Sequence, residues 1–184
     1  MHVEINGNVL KLMTGDLTKQ ATAAIVNAAN GTLLGGGGVD GAIHKAAGKQ
    51  LVEECKYIRK YQLNGDYLPA GEAVVTSGYD LPAQYVIHTV GPVWKENKEK
   101  ADELLSNCYR NSLQLAMDIG AKSISFPSIS TGAYRFPIDR AAGIALTTII
   151  DFLKKNDFGT VVMTLFSSSD YEAYEVALKH LQSQ

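Results

Sequence analysis

The sequence predicts an α/β fold in which helices cover a central sheet. Two observations support this class: short apolar segments alternate with helical patterns of about ten residues or more, and loops rich in glycine or hydroxyl residues follow two of those apolar segments. No internal repeat or interdomain linker interrupts the pattern. Because 184 residues suffice for one domain with its own core, we expect residues 1–184 to form a single domain.

The pattern also places each element. A strand pair is expected around the Asn6-Gly7 turn, over residues 3–13, and further strands at 23–29, 72–77, 85–90, 123–126 and 160–166. Helices are expected at 39–60 with a break at Gly48, and at 104–117, 139–153 and 171–181. Asp139 is expected to be the N-cap of its helix, and Gly120 lies where a C-cap is expected.

Composition excludes several classes of protein. The net charge of −2 gives no basic surface of the kind that a duplex-binding protein normally carries. The N-terminal residues lack the apolar core of a signal peptide, and no apolar stretch approaches membrane-spanning length. Cys55 and Cys108 are far apart and fit buried free thiols in a reducing compartment. We therefore expect a cytoplasmic protein, a monomer, with no membrane partner and no metal site.

A run of four glycines, Gly35 to Gly38, directly precedes a helical pattern near Asp40. Successive backbone N–H groups in such a run can form an anion nest, and a helix N-terminus adds further donors. The run therefore suits a phosphate. A glycine-rich turn without a ligand is the alternative, and we disfavour it because four glycines cost folding entropy without packing anything.

Other nucleotide motifs fit less well. Gly36 to Gly41 also satisfies G-x-G-x-x-G, but these glycines do not follow the strand directly, and the acidic residue of a dinucleotide fold is missing. Gly48-Lys49 is followed by Gln50, so no P-loop is present. An oxidoreductase that uses a nicotinamide dinucleotide is thus a distant alternative.

A second loop, residues 127–137, follows the strand at 123–126 and carries small hydroxyl residues, a glycine and Tyr134. Alone it would fit an ordinary turn rich in Ser and Thr. In open α/β sheets, however, ligands bind beyond the carboxyl ends of the strands. We expect this loop, the glycine loop, the Gly15-Asp16 loop and Phe166 to meet there.

Four segments resemble the macrodomain family: GDLTK at 15–19, AIVNAANGTLLGGGGVDGAIHKAAG at 24–48, VIHTVGPVW at 86–94 and SISTGAY at 128–134. The resemblance covers essentially the whole chain. It is strongest to the MacroD-type branch, ADP-ribosyl-acceptor hydrolases that also deacetylate O-acetyl-ADP-ribose. It implies a three-layer α/β/α sandwich on a mixed central sheet.

The resemblance also implies an ADP-ribose pocket. Asp16 with the Leu17 backbone would bind the adenine, Phe166 would stack on it, and the two loops would hold the diphosphate; a side chain at Gly37 is expected to obstruct it. The ligand-binding residues implied are Asp16, Leu17, Asn30, Gly35, Gly36, Gly37, Gly38, Val39, Asp40, Ser130, Thr131, Gly132, Ala133, Tyr134 and Phe166.

Asn30 and Asp40 are the catalytic residues that the resemblance implies. Asn30 would orient a hydroxyl or a water beside the distal ribose, while Asp40 would either activate a water as general base or only position it as a substrate phosphate assists. From the residues alone, Asp40 could equally be an N-cap of the following helix. His44 and His88 are expected to be structural. At Arg135 the family often has glycine, so the arginine indicates either a different backbone angle or a charged rim, and we hypothesise that it contacts the modified protein or the distal end of the ligand.

The activity implied is removal of mono-ADP-ribose from acidic side chains of proteins, with deacetylation of O-acetyl-ADP-ribose. No cofactor is implied. The partners would be ADP-ribose, O-acetyl-ADP-ribose and mono-ADP-ribosylated proteins, and ADP-ribosylated nucleic acid ends stay open. The alternative from another class is a reader module that binds ADP-ribose without turnover.

Overall fold

In the computed structural model, which describes residues 1–96 and 98–184, seven strands form one sheet and five α-helices pack against it. The strands are β1 (His2–Ile5), β2 (Asn8–Thr14), β3 (Ala24–Ala28), β4 (Ala73–Ser77), β5 (Tyr85–Thr89), β6 (Ser123–Phe126) and β7 (Thr160–Leu165). The helices are α1 (Gly38–Ala47), α2 (Lys49–Tyr61), α3 (Ala101–Asp118), α4 (Ile138–Lys155) and α5 (Ser168–Gln182). The predicted α/β fold is confirmed.

The sheet is mixed, with strand order β1-β2-β7-β6-β3-β5-β4. The five inner strands are parallel to one another, whereas β1 and β4 pair antiparallel at the two edges. Because the inner strands run in one direction, the loops that leave their carboxyl ends all emerge at the same edge of the sheet.

Both faces of the sheet are covered. Along β3, Ala24 and Val26 belong to the core under α3, α4 and α5, whereas Ile25 between them belongs to the core under α1 and α2. Val86 and Ile87 of β5 divide between the same two cores. This alternation follows from the two-residue period of a strand and produces the predicted three-layer sandwich.

The N-terminal hairpin forms as predicted. Asn6 and Gly7 connect β1 to β2 with φ of 53° and 81°, which is the conformation that a two-residue type I′ turn requires. The buried Asn8 then ties this hairpin to the distant end of α4. Its Nδ2 donates to the Leu153 and Asn156 carbonyls at 3.0 and 2.8 Å, so the N-terminal hairpin is fixed to the C-terminal end of α4.

Several helix starts differ from the expectation, and α5 begins at Ser168 instead of residue 171. The N-cap of α4 is Pro137, and Asp139 lies inside the first turn, so the predicted Asp139 cap is wrong. Proline fits this start because its φ of −58° already matches a helix and its missing N–H has no partner to lose there. Helix α3 begins at Ala101, within the charged run at 95–103 and before the predicted residue 104; residue 97 of that run is outside the described part.

The two cysteines are free and buried, as predicted. Burial raises the pKa of the Cys55 thiol to about 12 and that of Cys108 to about 11, so both thiols are protonated near neutral pH. Within residues 1–96 and 98–184, no helix is long and apolar enough to cross a membrane.

Candidate functional site

A cleft of about 330 Å³ lies at the carboxyl edge of the sheet, between β6 and β3. After β3 the chain crosses to β4 and β5 on one side of the cleft, and after β6 it crosses to β7 on the other side. The cleft therefore lies at the topological switch point of the sheet. The cleft is lined by Ala28, Ala29, Asn30, Gly37, Gly38, Val39, Asp40, Gly91, Ser128, Ser130, Gly132, Ala133 and Tyr134.

Most of the predicted ligand-binding residues line this cleft. Those outside its lining are Asp16, Leu17, Gly35, Gly36, Thr131 and Phe166. Four lining residues were not predicted: Ala28, Ala29, Gly91 and Ser128. Each of the four lies at or just beyond the end of a parallel strand, so the strand ends would have indicated them.

The glycine loop brings a helix N-terminus to the cleft. Gly37 is the N-cap of α1, and Gly35 and Gly38 have φ of 91° and 56°, a region that residues with a Cβ rarely adopt. The buried Leu33 anchors the loop in the core under α1 and α2. Because the first N–H groups of a helix have no partners within it, this end of α1 suits an anionic group.

Side chains are excluded from part of this loop by its own packing. A Cβ on Gly41 would overlap the Gly36 carbonyl oxygen, and a Cβ on Gly36 would lie 2.8 Å from Asn30 Nδ2. A Cβ on Gly37, by contrast, meets no described atom within 4 Å. Packing within the chain therefore requires glycine at 36 and 41 but not at 37.

Asn30 is held by the loop that it opens. Its Nδ2 donates to the Gly35 carbonyl at 3.0 Å, and its Oδ1 accepts from Thr32 Oγ1 at 2.6 Å. These bonds fix the amide in one orientation and leave one N–H and one lone pair of the side chain for a ligand. Asn30 can thus orient a hydroxyl or a water.

Asp40 lies in the first turn of α1 and is almost fully buried. Because Gly37 is the cap, the alternative role of Asp40 as N-cap is wrong. Its Oδ1 accepts from Asn27 Nδ2 at 2.8 Å. Its Oδ2 is buried and has no hydrogen-bond partner among residues 1–96 and 98–184, although a buried carboxylate oxygen without a partner is costly. Asp40 also lines the cleft, so this unpaired oxygen belongs to a residue that borders the ligand space.

A series of buried polar side chains orients the Asn27 amide, which donates a hydrogen bond to Asp40. Since a carboxylate only accepts, the Asn27 amide nitrogen must face Asp40, and its second N–H points to His88 Nδ1 at 3.1 Å. His88 Nδ1 then carries no proton, so Nε2 carries it and donates to Thr76 Oγ1 at 2.9 Å. Burial, with a smaller effect of His44, lowers the pKa of His88 to about 3, which keeps the ring neutral.

His44 is the other imidazole beside the carboxylate. Its Nε2 lies 3.5 Å from Asp40 Oδ1, one helical turn along α1, without the geometry of a hydrogen bond. The His44 ring also fills the space beside Gly35, because a Cβ at that position would lie 3.5 Å from the ring. His44 therefore packs the glycine loop against the helix.

The second loop supplies the opposite wall of the cleft. Ser130 has a φ of 68°, and its Oγ is buried without a hydrogen-bond partner in the described part of the chain. Its carbonyl accepts from the backbone of the buried Phe136 at 2.9 Å, which closes the loop. A Cβ on Gly91 would overlap Ser130 Oγ, so the glycine after β5 is needed for this close approach.

Arg135 lies on the exposed side of the same loop. Its φ is 61°, in the left-handed region that favours glycine, and its backbone N–H donates to the Gly132 carbonyl at 3.0 Å. The residue thus adopts the backbone conformation for which glycine is suited and exposes a cationic side chain at the rim of the cleft.

Asp16 and Phe166 follow β2 and β7, the next strands along the same edge. Asp16 Oδ1 accepts from Thr18 Oγ1 at 2.7 Å and from Thr18 N at 2.9 Å, and these two bonds lower the pKa of the carboxyl group. Both bonds are made by Oδ1 and cap the short 3-10 helix Leu17–Lys19, so Oδ2 takes no part in this cap. Phe166 is 89% exposed, so its side chain lies outside the core and its aromatic face is available.

The four histidines and the acidic residues form no metal centre in the described residues: no group of three or more His, Cys, Asp or Glu side chains there could hold an ion.

The fold and the cleft define an α/β protein with a ligand cleft at its topological switch point, bordered by a helix N-terminus and a buried acidic side chain. The Macro domain family matches residues 26–145, and the chain belongs to this family.

Named relatives and solved structures agree. A macro domain-containing protein of Methanosarcina mazei is 52% identical over 98% of this chain and 94% of its own length. A protein of Escherichia fergusonii named O-acetyl-ADP-ribose deacetylase is 52% identical over 80% of this chain and 81% of its own. The structure of an Oceanobacillus iheyensis macrodomain with ADP superposes with a TM-score of 0.98, at 55% identity over 100% of this chain and 96% of that one.

The same Oceanobacillus iheyensis protein has a solved structure as its G37V mutant with ADPR, with a TM-score of 0.99 and 54% identity over 100% of this chain and 99% of that one. A valine at position 37 of that protein is therefore compatible with ADPR. This agrees with the open space beside Gly37 in the present chain, where a Cβ meets no described atom within 4 Å.

Proposed function

We propose that this protein binds ADP-ribose in the cleft, hydrolyses mono-ADP-ribose from acidic side chains of proteins, and deacetylates O-acetyl-ADP-ribose. The observation that carries the proposal is the buried Oδ2 of Asp40, which has no hydrogen-bond partner in the described residues although Asp40 lines the cleft. A relative named O-acetyl-ADP-ribose deacetylase and macrodomain structures with ADP and ADPR support it.

The order of the strand ends supports one direction for the proposed ligand. In this proposal the adenine lies beside Asp16 and Phe166, which follow β2 and β7, and the aromatic ring stacks on it. The diphosphate lies at the N-terminus of α1 and against the loop that contains Ser130. The distal ribose then reaches Asn30 and Asp40 at the other end.

The chemistry is addition of water at or beside the anomeric carbon. The Oδ2 atom of Asp40 accepts a hydrogen bond from the attacking water, and Asn30 orients the neighbouring hydroxyl group. For a glutamate-linked ADP-ribose, the ester bond breaks and the carboxylate leaves, so water and ester become ADP-ribose and a free acid. For O-acetyl-ADP-ribose, the products are ADP-ribose and acetate.

The test is release of ADP-ribose from a protein modified on glutamate, and of acetate from O-acetyl-ADP-ribose, each without added metal. We expect both products from the purified protein, together with calorimetric binding of ADP-ribose. Binding without release from either substrate would overturn the hydrolase proposal and make the protein a reader of ADP-ribose. Absence of both binding and release would overturn the proposed ligand as well.

A further inference from the structure

A second concave surface lies beside the cleft, and the proposed reaction does not use it. We call it the basic groove. It has a volume of about 400 Å³ and is lined by Leu34, Lys56, Arg59, Lys60, Asn64 and Gly65. Three of these side chains are cationic and none is acidic, although the chain as a whole has a net charge of −2. The groove is thus a local positive surface on an acidic protein.

The basic groove begins at the lip of the cleft. Leu34, which forms one wall of the groove and is 46% exposed, lies between Thr32 and Gly35 in the chain. Both of these neighbours hydrogen-bond to the Asn30 side chain, through Thr32 Oγ1 and the Gly35 carbonyl. A group attached to the distal ribose beside Asn30 therefore leaves the cleft next to Leu34.

The walls of the groove are rigid. Arg59 Nη2 donates to the Gly65 carbonyl at 2.8 Å, and its Nη1 donates to the Thr32 carbonyl at 3.3 Å. Its guanidinium also lies over the Tyr67 ring, 4.8 Å from the centroid. Arg59 thus fixes the end of α2 to the loop of Asn30, and within residues 1–96 and 98–184 its hydrogen-bond partners are backbone carbonyls and not carboxylates.

Exposed aromatic rings extend the surface. Tyr57, Tyr61 and Tyr67 are each more than half exposed, and the rings of Tyr57 and Tyr61 pack with centroids 4.7 Å apart. Tyr and Arg are the residues that protein interfaces favour, because they add contact area at low entropic cost. The Lys60 ammonium lies 5.2 Å from the Tyr61 centroid, so the cations and the rings form one continuous face.

We propose that the basic groove binds the acidic polypeptide segment that carries the ADP-ribose, on the acceptor side of the bond to be cleaved. The inference rests on the proposed function and names the part of its substrate that the cleft does not contact. A segment modified on a glutamate and rich in further Asp and Glu complements three cations at this lip. O-acetyl-ADP-ribose has no such segment and does not reach the groove.

The experiment compares these two substrates in a Lys56→Ala/Lys60→Ala double variant. Neither lysine lines the cleft, and Lys56 pairs with the exposed Glu53 in its own helix. The matched control is Lys154→Ala/Lys155→Ala, which removes the same charge from exposed positions at the end of α4. Substrates are an acidic peptide mono-ADP-ribosylated on glutamate, and O-acetyl-ADP-ribose.

We expect kcat/KM on the modified peptide to fall about tenfold in the groove variant at low salt, with a smaller loss at high salt. Turnover of O-acetyl-ADP-ribose and the affinity for free ADP-ribose should stay at the parent values, and the control variant should behave as the parent on both substrates. Equal losses on both substrates, or no loss on the peptide, would overturn the proposal.

Two further experiments test whether the groove binds nucleic acid instead of a peptide, and whether it binds a peptide if the protein hydrolyses nothing. If the groove variant loses activity on an ADP-ribosylated single-stranded oligonucleotide but not on the peptide, the groove serves nucleic acid and the peptide proposal is overturned. If the parent releases nothing from any substrate, the proposed hydrolysis has failed, and calorimetry with the intact peptide conjugate decides on the groove. Tighter binding of the conjugate than of ADP-ribose, lost in the groove variant, supports the proposal, whereas equal affinities overturn it.

Discussion

The orientation of Asp40 depends on a proton that lies two side chains away. Thr76 Oγ1 accepts a hydrogen bond from the Nε2–H group of His88, so His88 Nδ1 can accept one from Asn27. The other N–H of the Asn27 amide is then directed at the Asp40 carboxylate. If the His88 proton moved to Nδ1, the Asn27 amide would lose this acceptor and would be free to turn its oxygen towards His88. The tautomer of a buried histidine thus controls a hydrogen bond in the cleft.

A Thr76→Val variant tests this control. Valine has nearly the same shape but accepts no hydrogen bond, so we expect kcat for O-acetyl-ADP-ribose to fall roughly tenfold, the scale of one buried hydrogen bond. The KM and the calorimetric affinity for ADP-ribose should change little, because Thr76 does not line the cleft. Thr76→Ser keeps the hydroxyl and should restore kcat. A kcat that stays at the parent value in the valine variant would show that these side chains do not position Asp40.

At the scale of elements, the junction between the glycine loop and α1 sets the shape of the anion site. The loop turns back so closely that the Gly36 carbonyl lies against the Gly41 Cα, on the first turn of the helix. This contact and the left-handed Gly35 and Gly38 together aim the start of α1 at the cleft.

Gly41→Ala and Gly37→Ala form a matched pair for this junction. In Gly41→Ala, the added methyl displaces the Gly36 carbonyl, and we expect the affinity for ADP-ribose to fall more than about tenfold, since a shift of the nest costs several hydrogen bonds to phosphate. In Gly37→Ala, the methyl meets open space at a φ of −96°, and affinity should stay within about threefold. Similar affinities in the two variants, measured by calorimetry, would contradict this account of the loop.

The sequence predicted the elements well because their signals are local. The Asn6-Gly7 turn, the alternation in the hairpin and the break at Gly48 each depend on a few neighbouring residues, and all are confirmed. Which strands become neighbours is not a local property, so Gly91 was missed although it contacts Ser130. Asn27 was missed too, and a polar residue within the apolar strand run could have indicated it.

The candidate site was predicted in part from chemistry and in part from resemblance. The glycine run alone indicated an anion site, and α1 does begin at the cleft. The roles of Asn30 and Asp40 came from the resemblance; the structure adds the orphaned oxygen and the bonds that hold both side chains. The exposure of Phe166 could not be foreseen, because a strand end permits either a core or a surface position.

At the scale of the whole molecule, the same histidine links stability to pH. The pKa of His88 is lowered to about 3 in the folded protein, mainly by burial, whereas an unfolded histidine has a value of about 6.5. As pH falls through 6.5, only the unfolded state takes up this proton, so the folded state loses stability. Above pH 6.5 both states are neutral at this residue and it has no effect.

We therefore expect the free energy of unfolding to decrease as pH falls from 6.5 to 4.5, with the folding equilibrium changing up to about tenfold per pH unit through His88. A His88→Gln variant has no titrating group there and should show a shallower dependence in the same window, measured by urea unfolding. Carboxyl groups such as Asp102, whose pKa is lowered by Arg140, are present in both proteins, so their effect cancels in the comparison. If the free energy of unfolding depended equally on pH in the parent and the variant, the proposed effect of His88 would be refuted.

The central claim is that the unpartnered carboxylate oxygen of Asp40 positions the attacking water. The most direct test is Asp40→Asn, because its Oδ1 can still accept from Asn27 while the other position becomes an N–H donor. Turnover of O-acetyl-ADP-ribose and calorimetric binding of ADP-ribose are measured on the same preparation. We predict a loss of turnover of about a hundredfold or more, with affinity within about threefold of the parent. Undiminished turnover in Asp40→Asn would contradict the claim.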